Sequence, residues 1–324
     1  MDQTVAVRGS PAAHTKTKLY RFLHSRKILQ NWDLYLMLLP AILFYIVFHY
    51  APMYGAQLAF KDFNAMEGIW GSPLTSSYGF GHFIRWFQSP FLVRLVSNTL
   101  LLNLYTLVFG FPLPIILALM INELRNKKLA KAISNVTYIP FFLSAAVIVG
   151  MVRNFVHVDY GVVNMAIIAL GGEAINFFRE AEWFRFLFVS SGIWQVTGWN
   201  SIIFIAALAG VDPELHESAT IDGANRFHRL IYINLPSIAP TIIILLILNL
   251  GTVMTVGFER AFLFQHDLNL SRSDVISTYV YRIGIQGAQF SFSSAIGLFN
   301  SVINCTILVV ANAISRKVSD TSLW

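Results

Sequence analysis

Long apolar segments, separated by short polar ones, run through most of the chain. A helix needs ~20 predominantly apolar residues to cross the hydrocarbon core of a bilayer. Six segments reach this length, at about 34–60, 92–122, 133–155, 184–209, 237–258 and 293–315. The pattern therefore predicts an all-α membrane protein with six transmembrane helices.

The composition supports this prediction and narrows the chemistry. Hydrophobic residues make up 56% of the chain and charged residues 12%, whereas soluble domains carry about 25% charged residues. The net charge is +6, but the basic residues lie scattered between apolar segments, so we expect them to set the membrane orientation rather than to bind nucleic acid. Cys305 is the single cysteine, which excludes an internal disulfide, and the histidines show no metal-ligand spacing.

Basic residues flank alternate ends of the spans. Loops rich in Lys and Arg stay in the cytoplasm, so both termini are predicted to be cytoplasmic, and segments 61–91, 156–183 and 259–292 to be external. An apolar stretch at 162–178 is too short to span and is expected to form an external or interfacial helix. The basic residues behind this topology are Arg21, Arg26, Lys27, Arg125, Lys127, Lys128, Lys131, Arg316 and Lys317.

The topology divides the chain into four regions. Residues 1–33 form a cytoplasmic tail, and residues 34–91 hold the first span with its external segment. Residues 92–315 form the core with the remaining spans and a polar loop at 212–236, and residues 316–324 form a second cytoplasmic tail.

The polar loop at 212–236 has the sequence DPELHESATIDGANRFHRLIYINLP. Asp212 is a good N-cap, Pro213 suits the first helical position, and Gly223 can end the helix that they start. Small residues at Ala219 and Gly223 lie four apart, which leaves a shallow face that another protein can approach closely. An amphipathic connector between two spans explains the periodicity equally well.

The loop resembles the EAA loop of ABC importer permeases, whose pattern is Glu-Ala-Ala, three residues, Gly, nine residues, Ile, one residue, Leu-Pro. Every spacing is kept, and the one departure is a serine in place of the first alanine. In that family the loop forms coupling helices that dock into the ATPase subunit. The resemblance implies that these residues couple to the ATPase: Glu217, Ser218, Ala219, Asp222, Gly223, Ala224, Ile233, Leu235 and Pro236.

The resemblance extends along the chain to the oligosaccharide branch of these importers. It is carried by Leu39-Pro40, by the segments 50–55 and 59–63, and by Asn98-Thr99-Leu100. It implies a type I importer in the bacterial plasma membrane, in which this chain forms a heterodimer with a second permease subunit. Two ATPase subunits would use ATP and Mg, an external binding protein would deliver the oligosaccharide, and this chain would bind no cofactor. Within the branch the chain is similar to permeases of alginate-oligosaccharide importers.

Polar side chains inside the spans are candidates for a substrate pathway, because they are costly in lipid and usually face a bundle interior or an aqueous cavity. Sugars need aromatic faces for their C–H surface and amides for their hydroxyls. Packing between helices explains the same residues equally well, and for Asn300 and Asn304 it is the favoured interpretation. No basic cluster is visible in the spans, so the charge of the sugar stays open. The candidate pathway residues are Gln195, Trp199, Asn200, Asn249 and Thr252.

Two other classes of protein compete with this interpretation. The sequence contains no Gly-Lys dipeptide and hence no Walker A loop, so another chain would have to hydrolyse ATP. A secondary transporter driven by an ion gradient would be expected to carry intramembrane carboxylates or pairs of broken helices. A non-transporting membrane scaffold would not need the 212–236 loop.

Overall fold

The computed structural model describes residues 31–318 and 322–323. The predicted cytoplasmic residues Arg21, Arg26 and Lys27 lie outside these ranges. The described part of the chain is helical and holds no β-strand, although Lys61 and Leu74 form an isolated antiparallel bridge. It forms two compact units, one up to Ala56 and one from Gln57 onwards.

The first unit contains the helix α1 (Trp32–Tyr45), a π-helical turn at Ile46–Tyr50 and a short turn at Ala51–Met53. Its apolar side chains are exposed along the whole helix, which requires an apolar environment around it. With the 3₁₀ turn at Tyr54–Phe60 it makes a candidate span of 29 residues, close to the predicted segment 34–60.

The second unit holds the remaining helices. The α-helices of six residues or more, with the helix of the polar loop at 226–229, are α2 (Gly81–Phe87), α3 (Leu92–Tyr105), α4 (Pro112–Asn122), α5 (Lys127–Tyr138), α6 (Ala145–Phe155), α7 (Val162–Ala169), α8 (Ala181–Ala209), α9 (Pro213–Ile221), α10 (Arg226–Arg229), α11 (Ala239–Leu250), α12 (Phe258–Phe264), α13 (Ile276–Tyr281) and α14 (Phe290–Val318). Shorter α-turns lie at Gly68–Gly71, Leu235–Ser237 and Leu270–Ser273, 3₁₀ turns at Ile139–Phe142 and Asp267–Asn269, and π turns at Thr106–Gly110, Leu230–Asn234 and Arg282–Gln286.

The predicted spans divide into unbroken and bent helices. Four unbroken helices are long and apolar enough to cross a membrane: Trp32–Phe60, Leu92–Asn122, Ala181–Ala209 and Phe290–Lys317. The predicted third and fifth spans are bent pairs, with an angle of 101° between Lys127–Phe142 and α6 and of 58° between Arg226–Ser237 and α11. The described residues therefore reach the predicted six spans if each bent pair counts as one crossing.

The predicted end of the fifth span, in the segment 237–258, is wrong. Its helix stops at Leu250, and residues 251–257 are not helical. The backbone N–H of Met254 donates to Asn304 Oδ1 (2.9 Å), and Asn304 Nδ2 donates to Thr255 Oγ1 (2.9 Å). Asn304 on α14 thus supplies an acceptor for the Met254 N–H that the helix no longer provides, in agreement with the packing role favoured for it.

The long helix α8 is the centre of the second unit. Its N-terminal half contributes Phe184 and Phe188 to a cluster with Phe264 of α12, and its C-terminal half packs Phe204 and Leu208 against α4. At Gly198 a Cβ atom would overlap the backbone carbonyl of Thr137. Glycine is therefore needed where α5 crosses α8.

Asn98 and Thr99 of α3 form hydrogen bonds with the predicted external segment 259–292. Asn98 Nδ2 donates to the carbonyls of Ser271 (3.1 Å) and Asp274 (3.0 Å), and the N–H of Ile276 donates to Thr99 Oγ1 (3.1 Å). These bonds give the Asn-Thr pair, which carried part of the family resemblance, a local structural role. The predicted helix within 162–178 is present as α7, eight residues long.

Candidate functional site

The loop at 212–236 contains two short helices, and the first begins at the predicted N-cap Asp212. Asp212 Oδ1 accepts the N–H of Glu214 (3.0 Å) at the start of α9, and Asn225 Oδ1 accepts the N–H of His228 (2.9 Å) at the start of α10. Gly223 lies between the helices with a φ of +79°, a conformation that favours glycine. It allows the chain to turn after α9.

The surface of the loop is open and partly apolar. Arg229 Nη1 donates to Thr220 Oγ1 (3.0 Å) and ties α10 to α9. No other part of the described chain lies within 4 Å of a Cβ built on Gly223, and Ile221 beside it is 87% exposed. Exposed apolar groups framed by polar ones are typical of protein docking surfaces.

The structure places the predicted coupling residues in two groups. Glu217, Ser218, Asp222 and Gly223 are exposed on the loop, and Ala219 and Ala224 are half-buried beside them. Ile233, Leu235 and Pro236 come later, in the π turn and the short helical turn that lead from α10 into α11. They sit where the loop joins the bent fifth span and therefore connect the exposed surface to the spans.

A cavity of about 720 Å³ lies between the spans. Four of the five predicted pathway residues line it, namely Trp199, Asn200, Asn249 and Thr252. Sequence reasoning missed Asn103 and Thr106 of the second span, which also line it. Polar side chains three residues apart in an apolar segment were the available signal.

The cavity combines a fixed aromatic ring with an unused amide. The Trp199 ring stacks on Phe141 with a centroid distance of 4.4 Å and an interplanar angle of 3°, yet it remains 40% exposed. Asn249 Nδ2 donates to the Leu245 carbonyl (2.8 Å), and Thr252 Oγ1 to the Asn249 carbonyl (3.0 Å). The Asn200 side chain has no such bond within the described part of the chain, so its amide can bind a ligand.

Gln195, the fifth predicted residue, lies elsewhere. It lines a neighbouring cavity of about 440 Å³, whose walls share Asn103 and Thr106 with the larger one. Its Nε2 donates to the Leu143 carbonyl (2.8 Å), and its Oε1 accepts a hydrogen bond from Arg260. Both ends of the amide are therefore engaged by protein groups.

Residues 110–320 match the family described as "Binding-protein-dependent transport system inner membrane component". The chain is 43% identical to Protein LplB of Bacillus subtilis, over 90% of this chain and 91% of the relative. It is 38% identical to the polygalacturonan/rhamnogalacturonan transport system permease protein YteP of the same organism, over 92% of each.

A chain of a solved bacterial alginate ABC transporter, in complex with an alginate pentasaccharide-bound periplasmic protein, matches with a TM-score of 0.82 and 41% identity, over 92% of this chain and 99% of that one. This similarity confirms the predicted type I permease fold and the multi-pass membrane character of the chain. The chain therefore belongs to the family of binding-protein-dependent transport system inner membrane components, as the permease of an ATP-driven importer.

Proposed function

We propose that this permease carries acidic oligosaccharides into the cell, and that alginate oligosaccharides are among its substrates. The observation that carries the proposal is the 720 Å³ cavity, where the exposed Trp199 ring lies next to the unbonded amide of Asn200. Ligand sites combine apolar and aromatic walls with a few convergent polar groups, and a sugar offers C–H faces and hydroxyls to match. The relatives named for polygalacturonan and alginate transport support the acidic class.

The assembly that we propose has a second permease subunit in a heterodimer, two ATPase subunits and an external substrate-binding protein, all surrounded by membrane lipid. The partner ATPases hydrolyse ATP with Mg, and this chain transmits the motion without binding a cofactor. The exposed surface around Gly223 and Ile221 supports docking of an ATPase on the cytoplasmic side. Both termini lie on that side in this arrangement, and the docking residues include Glu217, Ser218 and Asp222.

Transport driven by an ion gradient is the alternative. Pairs of broken helices are a feature expected of such a transporter, and the described residues contain two bent helix pairs. Bent helices therefore do not distinguish ATP-driven from ion-driven transport. A direct energetic test does separate them.

The test is uptake by the complete complex in proteoliposomes. Loaded binding protein should stimulate ATP hydrolysis, and labelled alginate oligosaccharide should accumulate only with Mg-ATP. Vesicles with an imposed proton or sodium gradient and no ATP are the control. Uptake in those vesicles would favour the ion-driven alternative. Accumulation of neutral oligosaccharides alone would refute the acidic substrate class.

A further inference from the structure

Arg260 on α12 is a cation without an anionic partner in the described part of the chain. Its Nη2 donates to Gln195 Oε1, and its guanidinium lies 5.7 Å from the centroid of the Phe188 ring. Its Nε is buried and has no hydrogen-bond partner among the described residues. A guanidinium has five N–H donors and stays protonated, so most of its hydrogen-bonding capacity is unused.

Three other arginines do have a carboxylate partner, whereas Arg185, like Arg260, donates to an amide oxygen, Asn98 Oδ1 (3.0 Å), and has a buried Nε without a partner among the described residues. Arg94 and Arg282 both bind the buried carboxylate of Asp274, at 3.0 and 2.8 Å, and Arg272 pairs with Glu182 at 3.2 Å. Among the residues described, no carboxylate lies within ion-pair distance of Arg260. A half-buried charge without a partner is unfavourable, and because Arg260 lines a cavity, a ligand can reach it and supply the anion.

The surrounding helices position Arg260 beside a membrane span. Gln195 lies in the middle of α8 (Ala181–Ala209), so the guanidinium reaches that depth. A Cβ atom on Gly192 of α8 would overlap the guanidinium, and glycine at this position therefore leaves room for it. Residues 251–257, which are not helical, separate the short helix α12 from α11.

The cavity that Arg260 lines adjoins the larger cavity. It lines the 440 Å³ cavity together with Asn103, Thr106 and the exposed Glu259, which forms no ion pair with it. Asn103 and Thr106 also line the 720 Å³ cavity that contains Trp199 and Asn200. A sugar chain of several units can therefore contact Arg260 with one unit and the Trp199 ring with another.

We propose that Arg260 binds the carboxylate of a uronate unit during passage and thereby selects acidic oligosaccharides. A guanidinium binds a carboxylate through two parallel N–H···O bonds, and Gln195 with Phe188 holds it in place for this contact. This inference rests on the proposed import of acidic sugars and adds the residue that recognises their charge. Each uronate unit neutralises the charge of Arg260 as it passes, and a neutral sugar cannot do so. Acidic oligosaccharides are therefore favoured over neutral ones.

The experiment compares Arg260→Gln and Arg260→Lys in the complete complex in proteoliposomes, supplied with alginate-oligosaccharide-loaded binding protein. Arg260→Gln should lower uptake per ATP hydrolysed at least tenfold, while complex yield and stimulated ATPase activity stay within twofold of wild type. Arg260→Lys keeps the charge but cannot form the bidentate pair with a carboxylate. Its uptake should lie between those of Arg260→Gln and the wild type.

Arg85→Gln is the matched control. Arg85 donates to Gln289 Oε1 (2.9 Å), has no carboxylate partner in the described chain, and lines neither of these two cavities. It should transport normally.

Normal uptake by Arg260→Gln would overturn the inference, and so would a parallel loss of assembled complex in both Arg260 variants, which would assign the residue a structural role. If the wild type imports no acidic sugar, the proposed substrate class fails instead. Wild-type uptake therefore separates the two failures.

Discussion

At the residue scale, Trp199 and Asn200 are neighbours with different local constraints. Phe141 stacks on the indole and Phe142 contacts its edge, with centroid distances of 4.4 and 5.6 Å. These contacts hold the ring in place before a ligand binds, so that binding loses little side-chain entropy. Asn200 has no comparable contact among the described residues, and so its amide is free to follow the hydroxyls of a moving sugar.

This difference predicts separate outcomes for two variants. Asn200→Ala should reduce uptake about fivefold, the loss of roughly one hydrogen bond, at normal complex yield. Trp199→Ala should reduce both uptake and yield, because it removes substrate contact and helix packing together. Uptake and the yield of purified complex are measured for each variant. Ser190→Ala on the same helix is the control, since Ser190 bonds only to its own helix. Normal uptake in Asn200→Ala would remove this residue from the pathway.

Residue types alone could predict part of this site. Trp199, Asn200, Asn249 and Thr252 stand out as polar or aromatic groups in apolar spans. Arg260 follows directly on the apolar run to residue 258, which places it at the outer end of the fifth predicted span, where it could gate the cavity, contact a docking protein or only mark the membrane boundary. Its true position depends on where the helix before it ends.

At the element scale, the loop helices α9 and α10 were predictable because their determinants are local. Caps at Asp212 and Asn225 and the glycine turn at Gly223 lie within a few residues of the bonds that they make. The end of α11 at Leu250 was not predictable, because Asn304, about fifty residues later, stabilises the open backbone of Met254. The 101° bend after the 3₁₀ turn at Ile139–Phe142 likewise depends on how α5 and α6 pack.

The exposed surface of α9 predicts a specific coupling defect. Ile221→Glu should place a charge in an apolar contact with the ATPase, and it should lower stimulated ATPase activity and uptake together by roughly tenfold or more. The isolated permease should remain folded, because Ile221 is 87% exposed. Activity is measured in proteoliposomes with loaded binding protein, and Leu129→Glu, at a half-exposed position of α5, is the control.

Ile221 is a better test position than Gly223. Any larger residue at Gly223 would strain the backbone at its φ of +79°, and this strain costs about 1–2 kcal/mol in most residues. A defect there would mix loop misfolding with lost docking. Full ATPase stimulation in Ile221→Glu would argue that the loop is only a connector between spans.

At the scale of the whole molecule, charge and span count together determine which compartment each segment faces. The segment between α4 and α5 carries Arg125, and Lys127, Lys128 and Lys131 follow on α5. Such clusters stay in the cytoplasm. From there to the 212–236 loop the chain passes through the bent third span and α8. If both cross the bilayer, the loop returns to the cytoplasmic side, where an ATPase can reach it.

Cysteine labelling tests this arrangement directly. In a Cys305→Ser background, Met66→Cys, Lys128→Cys and Asp222→Cys place single thiols at exposed positions. A membrane-impermeant maleimide added to intact spheroplasts should label position 66, and it should label positions 128 and 222 only after permeabilisation. Labelling of position 128 from outside would reverse the orientation. Labelling of position 222 but not 128 would mean that the chain re-enters at the 101° bend without crossing. The loop would then face away from the ATPase, and the coupling role argued for Ile221 would be lost.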